Sequence, residues 1–164
     1  MAELITRYVK LGIGFVIIWC LMLVYNNMSC RQVHGAEMEP TVAREKYKFV
    51  IPTKYKPYEH IVHDDVIYYE FEQSGEGQST FAARVIGLPG DRIRMERGEV
   101  YRNDRKVDQA YVGRAMVSGD TLEEIIVPRD SFFVLMDNRL QCARWDSRGI
   151  GPVGMYALTG KIWQ

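Results

Sequence analysis

Leu11 to Tyr25 reads LGIGFVIIWCLMLVY, fifteen residues without a charge, and no other stretch limits the possible folds so strongly. Val9 and a snorkelling Lys10 extend the run at its start. As a helix the core run spans about 22 Å, and with its flanks it approaches the ~30 Å hydrocarbon thickness of a bilayer. A cleaved signal peptide is one alternative, but the following NNMSCRQV offers no small-x-small cleavage pattern. A buried core helix is another, but the run is apolar all round rather than on one face, which favours lipid. The expectation is a transmembrane signal-anchor helix over residues 9–28. Arg7 and Lys10 precede it and only Arg31 follows closely, which places residues 1–8 in the cytoplasm and 29–164 outside it.

The remainder has the period of strands. DDVIYYEFE (64–72) is β-branched and aromatic without a helical repeat. DRIRMERGEVYRNDRKV reads as a hairpin meander with turns at Arg97-Gly98 and Asn103-Asp104. EEIIVPRDSFFVLMDN predicts two strands parted by a turn at Pro128 to Asp130, and GMYALTGKIWQ a closing strand. EQSGEGQST (72–80) reads as a mobile connection. No long amphipathic helix follows residue 28, so the expectation is one all-β domain of about 135 residues behind the anchor.

Bulk charge narrows the partners. Lys plus Arg and Asp plus Glu both count 21, and without a basic stripe nucleic acid is not an expected partner. Cys20, Cys30 and Cys142 are too few and too irregular for a disulfide framework or a metal cluster. Cys20 reads as a small hydrophobe, and a Cys30–Cys142 bridge is conceivable only outside the cytoplasm. No cofactor and no metal is expected.

Three strings carry more than local structure. VHGAEMEPT (33–41) lies just beyond the anchor, inside a segment, 31–43, that has the look of an active-site strand. ARVIGLPGDRI contains GLPGD (87–91), by itself a β-turn with Pro89 at its second position and Gly90 at its third. FVLMDNRLQCARWDSRGIGPVG (133–154) carries an Asp-Asn-Arg and then an Asp-Ser-Arg. In order and approximate spacing the three resemble bacterial type I signal peptidases, whose corresponding strings run V-x-G-x-S-M-x-P-T, K-R-V-I-G-L-P-G-D and G-D-N-R-x-x-S-x-D-S-R-x-x-G-P-V. The resemblance covers nearly the whole chain. It implies an all-β fold of the signal-peptidase/LexA type behind one transmembrane helix. In such enzymes a serine hydroxyl attacks the peptide carbonyl, a neutral buried lysine takes its proton, and backbone N–H groups near the nucleophile hold the oxyanion.

Carried over position by position, the nucleophile falls on Glu37 and the general base on Ala83. A carboxylate attacking an amide would form an anhydride, a poor intermediate, and alanine has no titratable atom. Losing both members of such a dyad should leave background rates. Between Arg139 and Asp146 lie six residues, LQCARW, where the family has four; Cys142 best matches the supporting serine, and Met136 replaces a glycine. One expectation is that Glu37 turns toward the space the lysine vacates, protonated by burial or paired with Arg84 or Arg148; the other is that it points into solvent.

Arg84, Asp137, Asn138, Arg139, Asp146, Ser147 and Arg148 are expected to support the scaffold, the charged ones as a buried ion-pair network. Gly35, Ala36, Met38 and Pro40 are candidates for lining a groove in which an extended peptide binds by β-augmentation. EMEPTVA and YYEFEQ would present its edge, while KFVIP and YKPYEH are placed either on the lipid surface or in the core. His34, His60 and His63 read as solvated or packed side chains rather than a zinc site, and Ser29, Ser131 and Thr41 as hydroxyls without a base. Glu37 with Asp137 or Asp146 as a catalytic acid pair has nothing to place the carboxylates face to face.

The function implied is a catalytically inactive, membrane-anchored signal-peptidase-like protein that binds an exported partner. Similarity to signal-peptidase-like proteins of Gram-positive pilus loci implies a chaperone-like part in pilin or pilus assembly, with a pilin segment and a sortase among the expected partners. The alternatives are a signal peptidase I, a serine-type endopeptidase of signal-peptide processing, with a non-standard catalytic group, or a scaffold subunit for an active peptidase or sortase.

Overall fold

The computed structural model describes residues 2–27, 29–32, 36–42, 47–52, 60–73, 77–112, 119–140 and 142–162. Its side chains are described over 7–23, 36–42, 60–72, 79–112, 119–140 and 142–162. Ala2–Asn27 forms one 26-residue helix, α1. Consecutive residues Phe15 to Trp19 are all exposed, Phe15 at 76% and Trp19 at 67%, so apolar side chains surround the helix. Among the described residues no helix is long and apolar enough to cross a membrane.

Beyond α1 the described chain is mostly strand. One sheet contains β1 (Ser29–Gln32), β2 (Tyr47–Pro52), β3 (Val66–Gln73), β4 (Gly77–Gly87), β9 (Ser131–Leu135), β10 (Val153–Gly154) and β11 (Leu158–Ile162). Its order is β1-β2-β11-β3-β4-β9-β10, with antiparallel pairing throughout. The second sheet, in the order β7-β6-β5-β8, is built from β5 (Arg92–Glu96), β6 (Glu99–Arg102), β7 (Arg105–Lys106) and β8 (Leu122–Ile126). A four-residue helix, α2 (Ser147–Ile150), and a 3-10 turn at Met155–Ala157 complete the described elements.

Turn chemistry explains the small sheet. Arg97 and Gly98 both have positive φ, as do Asn103 and Asp104, the combination that a two-residue hairpin matching strand twist requires. Gly90 has φ 87°, and the Asp91 N–H donates to the Leu88 carbonyl at 3.0 Å, so GLPGD is a type II turn with glycine where L-residues are strained. These turns stand where the sequence places them.

Alternation builds the core. Along β3 and β4, Ile67, Tyr69, Ala83 and Val85 pack on one face with Phe132, Val134 and Met136. Val66, Tyr68 and Ala82 pack on the other face with Met38, Val42 and Ile162. A third cluster of Ile86, Ile93, Met95, Val100, Phe133 and Leu135 joins the two sheets. Each such aliphatic side chain, fully buried, contributes about 1.5–3 kcal/mol of transfer free energy.

Two local expectations change. Within 72–80 the described residues are not a mobile connection: Glu72 pairs with Gln78 and Gln73 with Gly77, so the β3–β4 ladder continues as far as Gln73 and Gly77. A ladder satisfies backbone amides whatever the polarity of the side chains, and here polarity misled the reading. Residues 36–42 are not a strand either. The Glu39 N–H donates to the Ala36 carbonyl at 3.2 Å and Val42 N–H to Met38 at 2.8 Å, so this segment coils through consecutive turns around Pro40.

Candidate functional site

Glu37 sits in the coiled segment 36–42 and is 9% exposed. Asn138 anchors it from the loop after β9: its backbone N–H donates to the Glu37 carbonyl at 2.9 Å and its Nδ2 to the Ala36 carbonyl at 3.1 Å. Ala83 lies inside β4 opposite Ile67, fully buried. The two positions share neighbours. Ala83 belongs to the cluster that contains Tyr69 and against which Cys142 packs, and the Glu37 charge acts on both Tyr69 and Cys142. At 9% exposure Glu37 does not point out into solvent.

That electrostatic setting suppresses nucleophiles. Burial, helped by the charges of Glu37 and Asp146, pushes the Cys142 thiol up to about 11. Burial first, then Asp146 and Glu37, raises the Tyr69 hydroxyl well above its usual range, and that hydroxyl donates to the Trp145 carbonyl. Both groups hold their protons at neutral pH, and a protonated thiol or phenol is a poor attacking group. Of the lysines beyond α1 whose side chains are described, Lys106 meets Glu99 at 2.7 Å and Lys161 meets Asp65 at 2.7 Å.

The charged residues of the third string form two buried assemblies. Asp137, fully buried, takes Arg84 in a bidentate pair, Oδ1 from Nε at 2.9 Å and Oδ2 from Nη2 at 2.6 Å. Arg84 also donates to the Asp64 carbonyl at 2.9 Å and lies 4.1 Å over the Tyr111 ring. Burial works against its charge, and the hydrogen bond and charge of Asp137 overcome this, so its pKa rises. Asp146 caps α2 by accepting from the Arg148 N–H at 3.0 Å, and its Oδ2 accepts from the Met136 N–H at 3.1 Å. The Arg148 guanidinium closes on Asp146 at 2.7 Å, on Asp120 at 2.7 Å and on the Arg139 carbonyl at 2.8 Å. Ser147 Oγ accepts from the Val134 N–H at 2.8 Å, tying α2 to β9.

Arg139 departs from the expected pairing. Its side chain is 3% exposed, yet Nε, Nη1 and Nη2 have no hydrogen-bond partner among the described residues. The physical reason is competition: Asp137 is committed to Arg84, and Asp146 to Arg148 and a backbone amide.

The groove candidates divide. Met38 is fully buried in the core and cannot touch a ligand; the coil at 36–42 turns it inward. Ala36 is half-buried with its carbonyl occupied, and Pro40 is exposed. Gly35 and His34 lie outside the described residues, as do the side chains of KFVIP and all of 53–59. His63 pairs with Asp91 at 2.8 Å and His60 is exposed; among the described residues no three His, Cys, Asp or Glu side chains are grouped to hold a metal. Cys142 is a free thiol. Trp145, immediately before Asp146, stacks on Phe81 at 5.4 Å and meets Phe71 edge-on at 6.5 Å.

Sequence reasoning missed Tyr69, Tyr111, Asp64 and Asp120 as neighbours of these residues. The aromatic alternation of β3 was the one available signal for Tyr69; the others come together only through sheet packing.

Comparison with known proteins points one way. Residues 5–163 match the family described as signal peptidase, peptidase S26. Signal peptidase I of Bacillus caldolyticus is 43% identical over 96 residues, half of each chain. Signal peptidase I U of Bacillus subtilis (strain 168) is 34% identical over 127 residues, 73% of this chain and 65% of that one. The chain thus spans about half to two thirds of the length of these relatives. A solved signal peptidase I from Enterococcus faecalis V583 shares the fold, with a TM-score of 0.50 and 24% identity over 63% of this chain and 97% of that one.

Proposed function

Because the chain belongs to the peptidase S26 signal peptidase family, we propose that it is a non-cleaving member that holds an exported polypeptide. The observation that carries this is the pair Glu37 and Ala83: the two dyad positions offer a buried carboxylate and a methyl group where hydrolysis needs a hydroxyl and an amine. The nearby Cys142 thiol and Tyr69 hydroxyl, both held protonated, supply no substitute nucleophile. Meanwhile Asp137–Arg84 and Asp146–Arg148 keep the scaffold assembled, so loss of chemistry does not entail loss of fold.

In this reading the apolar run of residues 9–28, whose side chains are described only as far as residue 23, is a single-pass anchor, and the β domain faces the extracytoplasmic side. The partner is an extended segment of a secreted protein, a pilin during pilus assembly, with a sortase nearby.

The test is a cleavage assay on a preprotein with the purified full chain in detergent, beside a catalytically competent signal peptidase I. No product above background is expected; turnover by the purified chain overturns the proposal in favour of a signal peptidase with a non-standard catalytic group. Glu37→Ser with Ala83→Lys is expected to restore little, because a lysine must enter the fully buried cluster of Tyr69, Val134 and Met136 and the six-residue stretch before Asp146 alters the support around it.

A further inference from the structure

Arg139 presents an unsolved buried charge. The guanidinium is 3% exposed and none of its three nitrogens finds a partner among the described residues. A buried ion without hydrogen bonds is costly, and an arginine in this state is a fork of donors awaiting a planar acceptor. The Tyr111 hydroxyl is also buried without a hydrogen-bond partner among the described residues. Its charge coupling to Arg139 works in both directions: burial lowers the Arg139 pKa while Tyr111 raises it, and burial pushes Tyr111 up to about 12 while Arg139 draws it down.

Arg139 also lines an open cavity of about 590 Å³. The rest of its lining comes from the β6–β7 hairpin and the chain after it, with Glu99, Lys106, Asp108, Gln109 and Ala110. The other charges there are already engaged. Lys106 meets Glu99 at 2.7 Å, and Asp108 Oδ1 accepts from the Ala110 N–H at 3.0 Å. Gln109 Nε2 donates to the Gly98 carbonyl at 3.3 Å. Arg139 is the charged residue of the lining whose side chain has no hydrogen-bond partner among the described residues.

We propose that this cavity is a binding site for a carboxylate-bearing ligand, whose two oxygens dock on the Arg139 guanidinium. Bidentate geometry suits a planar carboxylate. With Glu99 and Asp108 on the walls, a dianionic phosphate brings more negative charge than one guanidinium offsets. The cavity volume leaves room for a body larger than acetate, such as the end of a peptide chain. This site does not depend on whether the chain cleaves.

The experiment titrates the full chain in detergent micelles with sodium acetate, sodium phosphate and acetamide at constant ionic strength, by calorimetry and by thermal unfolding. Saturable acetate binding is expected, with a rise in the unfolding midpoint of roughly 3 °C at a tenfold excess over its dissociation constant. Arg139→Met should abolish both signals, and Arg139→Lys, which keeps charge but loses the planar fork, should weaken acetate about tenfold. If Arg139→Met fails to fold, the lysine variant decides alone. No saturable binding of acetate, equal binding of acetamide, phosphate tighter than acetate, or an Arg139→Lys variant indistinguishable from the native chain each overturns the proposal.

Discussion

Asp137 offers the sharpest test of how this scaffold is held. Its carboxylate is fully buried and accepts two hydrogen bonds from Arg84, at 2.9 and 2.6 Å. Replacing it by alanine removes both and strands the guanidinium, a change that costs about 3–5 kcal/mol in buried pairs. Arg84 would retain the Asp64 carbonyl at 2.9 Å and the Tyr111 ring at 4.1 Å, so the lower end of that range, about 3 kcal/mol, is expected. For a chain of this size the thermal midpoint should fall by roughly 6–12 °C. Asp137→Asn, which keeps the volume and one acceptor oxygen, should lose about half as much. The double variant Arg84→Met with Asp137→Leu should recover most of the loss, since it leaves neither charge of the pair buried alone. Chemical and thermal unfolding in detergent, followed by tryptophan fluorescence, measures all three. An Asp137→Ala loss of less than about 0.5 kcal/mol, or a double variant as damaged as the sum of its singles, would refute the reasoning.

Other outcomes follow from the same geometry. Asp91 accepts from His63 at 2.8 Å, the Leu88 N–H at 2.8 Å and Asn103 at 2.7 Å. Burial opposes ionisation there, but these bonds prevail and its pKa is lowered. A depressed carboxylate stabilises the fold above its unfolded value, near 3.9, and that contribution is lost as pH falls through the lower folded value. Asp91→Asn should therefore lose about 1–3 kcal/mol at neutral pH and converge with the native chain in strong acid, as urea titrations across pH would register. Cys142, with its thiol pushed up to about 11, should react with iodoacetamide at pH 8 on the order of a hundredfold more slowly than an unperturbed cysteine; mass-spectrometric mapping of that site at the ordinary rate would contradict the burial argument. At Gly149 an added Cβ would lie 2.6 Å from the Ala143 carbonyl oxygen and 2.7 Å from Arg144 Cα. Because backbone cannot step aside as a side chain can, Gly149→Ala should destabilise by about 1–3 kcal/mol, and an unchanged midpoint would show the 143–149 turn to be pliable.

Short-range physics made much of this protein readable from its residues. The period-two pattern of VIYYEFE, the paired positive-φ residues at Arg97-Gly98 and Asn103-Asp104, and glycine at the third position of GLPGD act within a few residues of themselves, so strands and turns follow from the string alone. Glu37 and Ala83 are read from the string in the same way, and their match to the hydroxyl and amine positions of the family pattern belongs to the proposal of a non-cleaving member.

What the string left open depends on which distant groups compete for one another. Met38 looked available to a ligand until the 36–42 coil drove it into the core beside Tyr68. The pairing of Glu72 with Gln78 and of Gln73 with Gly77 is a matter of the backbone, which side-chain polarity does not reveal. Three arginines, Arg84, Arg139 and Arg148, looked alike in sequence, but packing brings Asp137 to the first and Asp146 to the last and leaves the second facing a cavity. Composition counts charges; only the tertiary arrangement decides which of them meet, because a carboxylate's lone pairs, once taken by one guanidinium at hydrogen-bond distance, are not there for the next.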